Sequence, residues 1–269
     1  MTLIIDSGFL WNETVWNPSM ISTALWLDAA DSTTLFTTDT GSTLVTNGSA
    51  VGRWNDKSGN GRNVIQSTSG SRPTYNATGQ NNLGSLAFNS SSTTFLQRTE
   101  SNLSNTFTCV VAASNSVITG TPSMLGQGST LNARFQMDRN GTDARMIRIN
   151  DGNNLASAVQ TGVHSVSAFI QVATDNGSLL GVSLNGASLS TVSTISANYS
   201  TAILTVGAVY ASGPSPSAFW NGSIFEVVYA PSMLSTLDRQ KVEGYLAHKW
   251  GLTANLPSDH PYKIAAPIP

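Results

Sequence analysis

Apolar and polar side chains alternate along most of this chain, in short runs that end at turn-forming residues. In the clearest run, SVSAFIQVA at residues 165–173, every second side chain from Val166 is apolar: Val166, Ala168, Ile170 and Val172. Successive side chains of a strand point to opposite faces of a sheet, so this period predicts a strand with one buried face. Comparable runs predict further strands at 84–88, 106–114, 133–138, 144–150, 201–210 and 222–230.

Two Asn-Gly pairs separate alternating runs near the middle of the chain. Asn176-Gly177, within DNGS, leads from the run at 165–173 into LLGVSL, and Asn185-Gly186 leads from LLGVSL into ASLSTVS. Asn-Gly favours the tight turns that join neighbouring antiparallel strands. The chain is therefore predicted to be all-β, with the many short strands typical of a sandwich or barrel.

One segment near the C-terminus has the period of a helix instead. Its apolar residues recur at helical spacing, at Leu237, Val242, Tyr245, Leu246 and Trp250. Ser235 followed by Asp238 is the start of a capping box, and Gly251 suits the left-handed residue just past a helix. The spacing predicts an α-helix over 235–250. Its apolar face is expected to be buried and its charged face solvated, the latter carrying Arg239, Lys241 and Glu243.

Composition restricts the class of protein. The 269 residues suffice for one large β domain, and only 10% of them are charged, so most exposed positions must be neutral and polar. Such a surface is typical of an extracellular or virion protein more than of a cytosolic enzyme. The net charge of -2 and the scattered arginines do not attract a polyanion, so no nucleic-acid partner is predicted.

The N-terminal segment and the single cysteine add three expectations. Residues 1–16 contain no basic residue, so they do not resemble a secretory signal, and no membrane insertion is predicted because no apolar stretch approaches about 20 residues. Residues 1–20 are interpreted as an arm, with Trp11 and Trp16 available for packing on this domain or a neighbouring chain; residues 21–269 form a single domain. Cys109 is predicted to be a buried apolar residue.

Three blocks of sequence resemble a known family. They are ALWLDAADSTTL at 24–35 with VGRWNDKSGNGRNVIQ at 51–66, the LLGVSLNGASL hairpin, and residues 220–262. Together they are similar to the concanavalin A-like, laminin G-like jelly-roll domains found in phage structural proteins and bacterial surface proteins. The resemblance implies an antiparallel β-sandwich of the lectin/glucanase type with one C-terminal helix.

A metal site is one expectation to examine. DKSGNG at 56–61 matches the first half of a calcium-binding loop, but its twelfth position is Ser67 instead of the bidentate glutamate, so a tight polar turn is the alternative. Laminin G-like domains often hold calcium at one rim of the sandwich. The resemblance therefore makes calcium possible at Asp56, Asp138 and Asp143.

Enzymatic activity is not predicted. Glucanases of this fold use closely spaced carboxylates on one strand, whereas the glutamates here are isolated: Glu13, Glu100, Glu226 and Glu243. The strand of Glu226 has no second carboxylate at i+2 or i+4, so Glu226 is expected to pair with an arginine. The histidines are isolated, and no G-x-S-x-G motif is present.

Two functions remain open. The resemblance, the neutral surface and the missing export signal favour a phage virion protein, exposed on the particle surface as a capsid decoration or tail-associated adhesin, with virion proteins and other copies of itself as partners. The alternative is a lectin-like carbohydrate-binding module for a cell-surface glycan. Its aromatic candidates are Trp220, Tyr210 and Trp54, each beside a polar loop, although burial in the core is the competing interpretation.

Overall fold

The computed structural model describes residues 15–99, 104–128, 134–150, 154–162, 164–194, 203–211 and 215–269. The strands in those ranges are β1 Leu25–Asp28, β2 Leu35–Phe36, β3 Arg53–Trp54, β4 Val64–Ile65, β5 Thr74–Asn76, β6 Ser85–Phe88, β7 Leu96–Thr99, β8 Phe107–Asn115, β9 Ser123–Gly128, β10 Arg134–Asn140, β11 Asp143–Asn150, β12 Asn154–Gln160, β13 Ala168–Asp175, β14 Leu179–Leu184, β15 Ser190–Ser193, β16 Ile203–Val206 and β17 Gly222–Ala230. One α-helix, α1, spans Thr236–Lys249. Short 3-10 turns lie at Pro18–Met20, Ser32–Thr34, Ser69–Ser71, Gln80–Asn82 and Thr253–Asn255.

The strands form two antiparallel sheets. Sheet 1 has the order β15-β14-β13-β8-β17-β6-β5, and β1 also pairs with β17 beside β6. Sheet 2 has the order β12-β11-β10-β9-β16-β7-β4-β3-β2. The predicted fold class, an all-β sandwich with one helix near the C-terminus, is confirmed.

The main core fills the space between the two sheets. On β8, Cys109, Val111 and Ala113 belong to this core, whereas Val110 and Ala112 belong to a second cluster on the other side of sheet 1. Sheet 1 is thus apolar on both faces, and this explains why β8 is a continuous apolar run instead of an alternating one. Cys109 is fully buried, as predicted, and burial raises the pKa of its thiol.

The helix α1 covers the outer face of sheet 1. Val242, Leu246 and Trp250 pack there with the residues of the second cluster. The predicted cap is confirmed, because the Asp238 N–H donates to Ser235 Oγ at 3.1 Å. At the other end, the side chains of Gln80 and Asn81 donate to the carbonyls of Trp250 and Lys249, both at 2.9 Å, and satisfy two terminal carbonyls that lack helical partners.

The prediction that the charged face of α1 is solvated is wrong in part. Arg239 and Glu243 are buried and pair with each other, whereas Leu237, assigned to the apolar face, is 55% exposed. The chain after the helix folds back over this face: His260 Nε2 lies 3.3 Å from Glu243 Oε2, and His248 Nε2 lies 2.9 Å from the carbonyl oxygen of Tyr262. Helical period alone does not show that a later segment will cover the charged side.

Two further details correct the sequence-based boundaries. Asn185 and Gly186 both adopt positive φ, 53° and 77°, as their hairpin turn requires, whereas DNGS uses positive φ only at Gly177, 92°. Strand β13 begins at Ala168, and Val166 is 60% exposed in the loop before it, so Val166 does not share the buried face.

The described part of the predicted arm lies on the domain. Trp16 is buried, and its ring centroid lies 6.1 Å from that of Tyr245. The backbone N–H of Trp16 donates to the carbonyl of Pro267 at 3.2 Å. Trp11 and the rest of residues 1–14 lie outside the described residues, so the boundary at residue 20 stays a prediction. Among the described helices, none has the length and apolar character that crossing a membrane requires.

Removing residues 231–269 should abolish soluble, folded protein, because it exposes the outer face of sheet 1 around Val110, Ile170 and Phe225. Thermal unfolding monitored by circular dichroism tests this, with a chain lacking only residues 268–269 as the control that retains α1. A cooperative melt of the long truncation would contradict the helix's structural role.

Candidate functional sites

A β-bulge in β17 directs Glu226 towards α1. In the pairing with β8, Ile224 opposes Ala113 and Glu226 opposes Ala112, so Phe225 is the extra residue. Phe225 lies in the cluster beneath α1 and stacks on Trp250 with ring centroids 5.2 Å apart. The side chains of Phe225 and Glu226 thus face the same side of sheet 1.

Four donors surround the buried carboxylate of Glu226. Trp26 Nε1 and Tyr245 Oη donate to Oε1 at 2.7 and 3.0 Å, and Lys249 Nζ and Trp250 Nε1 donate to Oε2 at 2.7 and 2.9 Å. Its cationic partner is therefore Lys249, and the prediction of an arginine is wrong. The reason is tertiary: Lys249 lies on the last turn of α1, which docks over the bulge.

The ion pairs continue to the protein surface. Lys249 Nζ also donates to Asp28 Oδ1 at 2.7 Å, and Lys57 Nζ contacts Asp28 Oδ2 and Asp31 Oδ2, both at 2.9 Å. Burial opposes ionisation of Asp28, but Lys249 and Lys57 outweigh it and lower its pKa. Burial raises the pKa of Glu226, although Lys249 acts against this. We call these residues the charge network: Asp28, Asp31, Lys57, Glu226 and Lys249.

A cleft of about 660 Å³ borders the charge network, with Asn17, Trp26 and Leu83 among its lining residues. The Lys57 ammonium lies 4.7 Å from the centre of the Trp26 ring and covers that side of the indole. The charged groups of this cleft are thus engaged with one another, and the ring face is not available for stacking. The cleft lies where α1 docks on sheet 1, and each charged side chain in its lining already has a partner within the protein.

The three predicted aromatic residues do not form a binding surface. Trp54 and Trp220 are fully buried and belong to the main core, and Tyr210 is 7% exposed. The backbone N–H of Trp220 donates to the Gly207 carbonyl at 2.8 Å, and this bond draws the residue inward from its loop. The competing interpretation, burial in the core, therefore holds for Trp220, and no sugar can stack on its ring in this conformation.

The calcium-like loop is a polar turn. Asp56 Oδ1 accepts from the N–H groups of Trp26 and Ser58, and Oδ2 accepts from Ser58 Oγ and the Arg62 N–H, at 2.7 to 3.0 Å. Four donors occupy the lone pairs with which a carboxylate would bind a cation. Asp56 instead ties β1 to the loop that carries Lys57.

The other two aspartates lie elsewhere on sheet 2. Asp138 is on β10, five strands from β3, a separation on the order of 20 Å at the usual strand spacing. It pairs with Arg145, while burial raises its pKa to about 6. Asp143 Oδ1 accepts from the Gly162 N–H at 2.9 Å. The structure does not bring the three together, and no group of three ligand-type side chains suited to a metal is found among the described residues.

Three loops at one end of the sandwich enclose a pocket of about 250 Å³, which we call the loop-end pocket. Its lining residues come from the β6–β7, β8–β9 and β16–β17 loops: Ser90, Val117, Thr119, Gly120, Thr121, Pro122, Ala218, Phe219 and Asn221. Backbone hydrogen bonds hold the loops together. The Ser123 N–H donates to the Ala218 carbonyl at 2.7 Å, and the Ser116 N–H donates to the Asn221 carbonyl at 2.9 Å.

The loop-end pocket combines an aromatic ring with unpaired polar groups. Phe219 is half-buried and tilts against Phe95, with ring centroids 6.0 Å apart. Around it lie polar side chains that make no hydrogen bond within the described residues: Ser90, Thr119, Thr121 and Asn221. Ala218 adopts φ of 51°, a costly conformation for a residue with a Cβ. Such strain often accompanies a functional loop.

The aromatic residue predicted from the sequence in this loop is Trp220, which is buried, whereas the ring that lines the pocket is Phe219. Phe219 and Trp220 are adjacent, and one of two adjacent side chains in extended backbone points inward while the other points outward. Nothing in the residue types states which is which. The larger ring occupies the core, next to Phe169 at 6.3 Å, and the smaller one lines the pocket.

A buried histidine supports the same end of the sandwich. His164 packs edge-on against Phe169 with ring centroids 4.3 Å apart, and its Nε2 lies 3.0 Å from Gln171 Oε1. Since a carboxamide oxygen only accepts, Nε2 carries the proton of the neutral ring. Burial lowers the pKa of His164 to about 4.

Comparison with known proteins gives partial matches to solved structures. The sequence matches no protein-family model and no curated protein sequence. The structure is similar to the CBM40 module of the Ruminococcus gnavus IT-sialidase, solved with α2,3 sialyllactose, at 14% identity over 49% of this chain and 79% of that one, with a TM-score of 0.44.

Two other solved structures also match part of this chain. A heptameric SAP-like pentraxin from Limulus polyphemus is 10% identical over 55% of this chain and 75% of that chain, with a TM-score of 0.46. The NanB sialidase of Streptococcus pneumoniae is 16% identical over 58% of this chain but only 26% of its own length, with a TM-score of 0.45. Identities of 10 to 16% with TM-scores below 0.5 assign no function to this chain. None of these three is a phage protein, so the phage context stays a prediction.

Replacing Lys249 by Ala should lower the free energy of unfolding by about 3 to 5 kcal/mol, because Asp28 and Glu226 would keep buried charge without their shared cation. Urea denaturation measures this. Lys241→Ala, on the same helix but without an ion pair in the described chain, should change it by less than about 0.5 kcal/mol. A Lys249→Ala cost as small as that of the control would show that the charge network does not hold the helix.

His164 should titrate with a pKa of about 4 in an NMR titration of the folded protein. As pH falls from 6.5, the unfolded state takes up the proton and the folded state does not, so the free energy of unfolding should fall progressively down to about pH 4. Above pH 6.5 His164 is neutral in both states, so the free energy of unfolding no longer depends on its titration. His164→Gln should reduce this slope; an unchanged slope would assign it to other groups.

Proposed function

We propose that the protein is a non-enzymatic carbohydrate-binding module and that the loop-end pocket holds one sugar ring. The observation that carries the proposal is the half-buried Phe219 ring surrounded by unpaired hydroxyl and amide groups. An aromatic face packs against the C–H groups of a sugar, and hydroxyl and amide groups exchange hydrogen bonds with its hydroxyls. The pocket lies below the range of about 300 to 1,000 Å³ of larger ligand sites, so it suits one ring.

The inventory of carboxylates supports binding without catalysis. Glu226 and Glu243, the glutamates within the described ranges, are both fully buried and held by internal partners. Neither reaches the loop-end pocket's lining. Glycoside hydrolysis needs two carboxyl groups flanking the bond to be cleaved, and the pocket offers none.

Exposure on a virion surface stays a prediction of the sequence resemblance. It is compatible with glycan binding, because an adhesin on a particle also needs a sugar site. Glycan binding by the loop-end pocket does not depend on whether the domain is part of a virion.

Replacing Phe219 by Ala should weaken glycan binding about tenfold, because loss of an aromatic contact worth ~1.4 kcal/mol changes Kd by that factor. A glycan array identifies a ligand, and isothermal titration calorimetry then measures the variants. Phe219→Tyr should retain binding because it keeps the ring.

The matched control is Leu237→Ala, which removes an exposed apolar side chain on α1, across sheet 1 from the main core. It should leave Kd unchanged. Two results would rule out the loop-end pocket as a sugar site. The first is that the wild-type protein binds no glycan on a broad array, and the second is that Phe219→Ala and Asn221→Ala both leave Kd unchanged.

A further inference from the structure

A second groove, of about 540 Å³, lies on the face of sheet 2 that points away from the core; we call it the outer-face groove. Cross-strand pairing places Arg53 opposite Ile65 and Ile65 opposite Gln97, so these three side chains share one face. The adjacent residues Trp54 and Val64 belong to the core and therefore identify the groove's face as the outer one.

Arg53 is held rigidly, and its charge is not neutralised by a carboxylate. Its Nε donates to Asn55 Oδ1 at 3.0 Å, and Nη1 and Nη2 donate to the carbonyls of Asp39 and Gly41 at 2.9 and 2.8 Å. The guanidinium also lies 4.1 Å from the centre of the Phe36 ring. All these partners are neutral, and in the described ranges no carboxylate forms an ion pair with Arg53.

One acidic residue, Asp39, belongs to the lining of the groove, and its carboxylate has partners of its own. Asp39 Oδ2 accepts from Ser67 Oγ at 2.7 Å, and Asp39 Oδ1 lies 3.9 Å from Arg72 Nη2. The Asp39 carboxylate thus has partners other than Arg53. Arg98 is a second basic residue of the lining, and its Nη1 donates to the Gly61 carbonyl at 3.2 Å.

The neutral groups of the groove are also donors. Asn63 Oδ1 accepts from the Asp56 N–H at 3.0 Å, and Gln97 Oε1 accepts from Tyr210 Oη at 2.8 Å. These bonds fix both carboxamides with their oxygens occupied, and in the described chain their NH₂ groups have no partner. Tyr210 therefore acts as a positioning residue for Gln97 and does not itself face a ligand.

We propose that the outer-face groove binds an acidic saccharide. The Arg53 guanidinium and the two carboxamide NH₂ groups, with Arg98 beside them in the lining, form a donor-rich surface, which is complementary to a ligand with a negative group and several acceptor oxygens. The carboxylate or sulfate would lie near Arg53 and Arg98, and ring and hydroxyl oxygens would accept from Asn63 and Gln97. Because the protein carries a net charge of -2, a long polyanion such as nucleic acid is a poorer match than a short acidic sugar.

This second site is independent of the loop-end pocket, since the two share no lining residue. The experiment uses calorimetry with the full chain and a panel of uronate and sulfated oligosaccharides, each beside its neutral counterpart. Trigalacturonate and its methyl ester form one such pair, in which the sugar rings are the same and the ester removes the negative charge. We expect an acidic member to bind, its neutral counterpart to bind at least about tenfold more weakly, and the affinity to fall with added salt.

Variants separate this site from the one proposed above. Arg98→Gln should weaken binding of the acidic ligand about tenfold, since it removes a charge-assisted donor, while Lys241→Gln removes a positive charge on α1 and should have no effect. Phe219→Ala should also have no effect on the acidic ligand. Unchanged melting temperatures show that the variants are folded.

Each of the following binding results would overturn the proposal. They are equal binding of an acidic ligand and its neutral counterpart, Arg98→Gln affinity equal to that of the wild type, and absence of binding across the acidic panel. Inorganic phosphate that competes at the same affinity as the oligosaccharide would show a simple anion site and would also overturn the saccharide assignment. Loss of acidic-ligand binding in Phe219→Ala alone would place that ligand in the loop-end pocket instead.

Discussion

The ion pair between Lys249 and Glu226 determines how the helix sits on the sandwich. Both groups are almost completely removed from water, and each forms hydrogen bonds that it could not make if the helix shifted by one residue. Removing a charge from water costs several kcal/mol, so a buried pair is tolerated only where its geometry is satisfied. We therefore regard the charge network as a register device: apolar packing holds α1 on sheet 1, and the ion pairs select one position along it.

The bulge in β17 belongs to the same device. It directs Phe225 and Glu226 to the helix side together, so that one side chain packs on Trp250 while the other accepts its indole N–H. Asp28 reaches Lys249 because β1 pairs with β17 directly opposite Glu226. Asp56 then holds the loop that delivers Lys57. The segment that resembles a calcium loop is thus part of the support for the helix.

The rigid sandwich leaves binding chemistry to its periphery. The loop-end pocket is formed where loops leave both sheets, and the outer-face groove is formed where the short strands β3 and β4 meet β7. The first presents an aromatic ring with hydroxyl groups, and the second presents hydrogen-bond donors with positive charge. If the two proposals hold, their different chemistry suits different parts of a glycan, and hydrogen bonds to backbone groups contribute to the shape of both.

Sequence periodicity predicted strands that overlap β6, β8, β10, β11 and β13 to β17, together with the helix and its cap, because these depend on neighbours a few residues away. It did not predict the strands β1 to β5, β7, β9 and β12. It failed at Glu226, whose cationic partner is 23 residues further along the chain, and at Arg239 and Glu243, which a later segment covers. It also failed at Trp220, since two adjacent aromatic residues in a loop carry no signal for which one points inward.

The amino-acid sequence by itself therefore determined the class of fold, the Asn185-Gly186 turn and the start and end of α1, because local backbone preferences and side-chain period decide these features. Tertiary structure alone decided which charged groups are buried together, which aromatic ring lines a pocket and which carboxylates have no lone pair left for a cation. Those outcomes depend on contacts between segments far apart in the chain, and a residue's type states what it can bond to but not what the fold will place beside it.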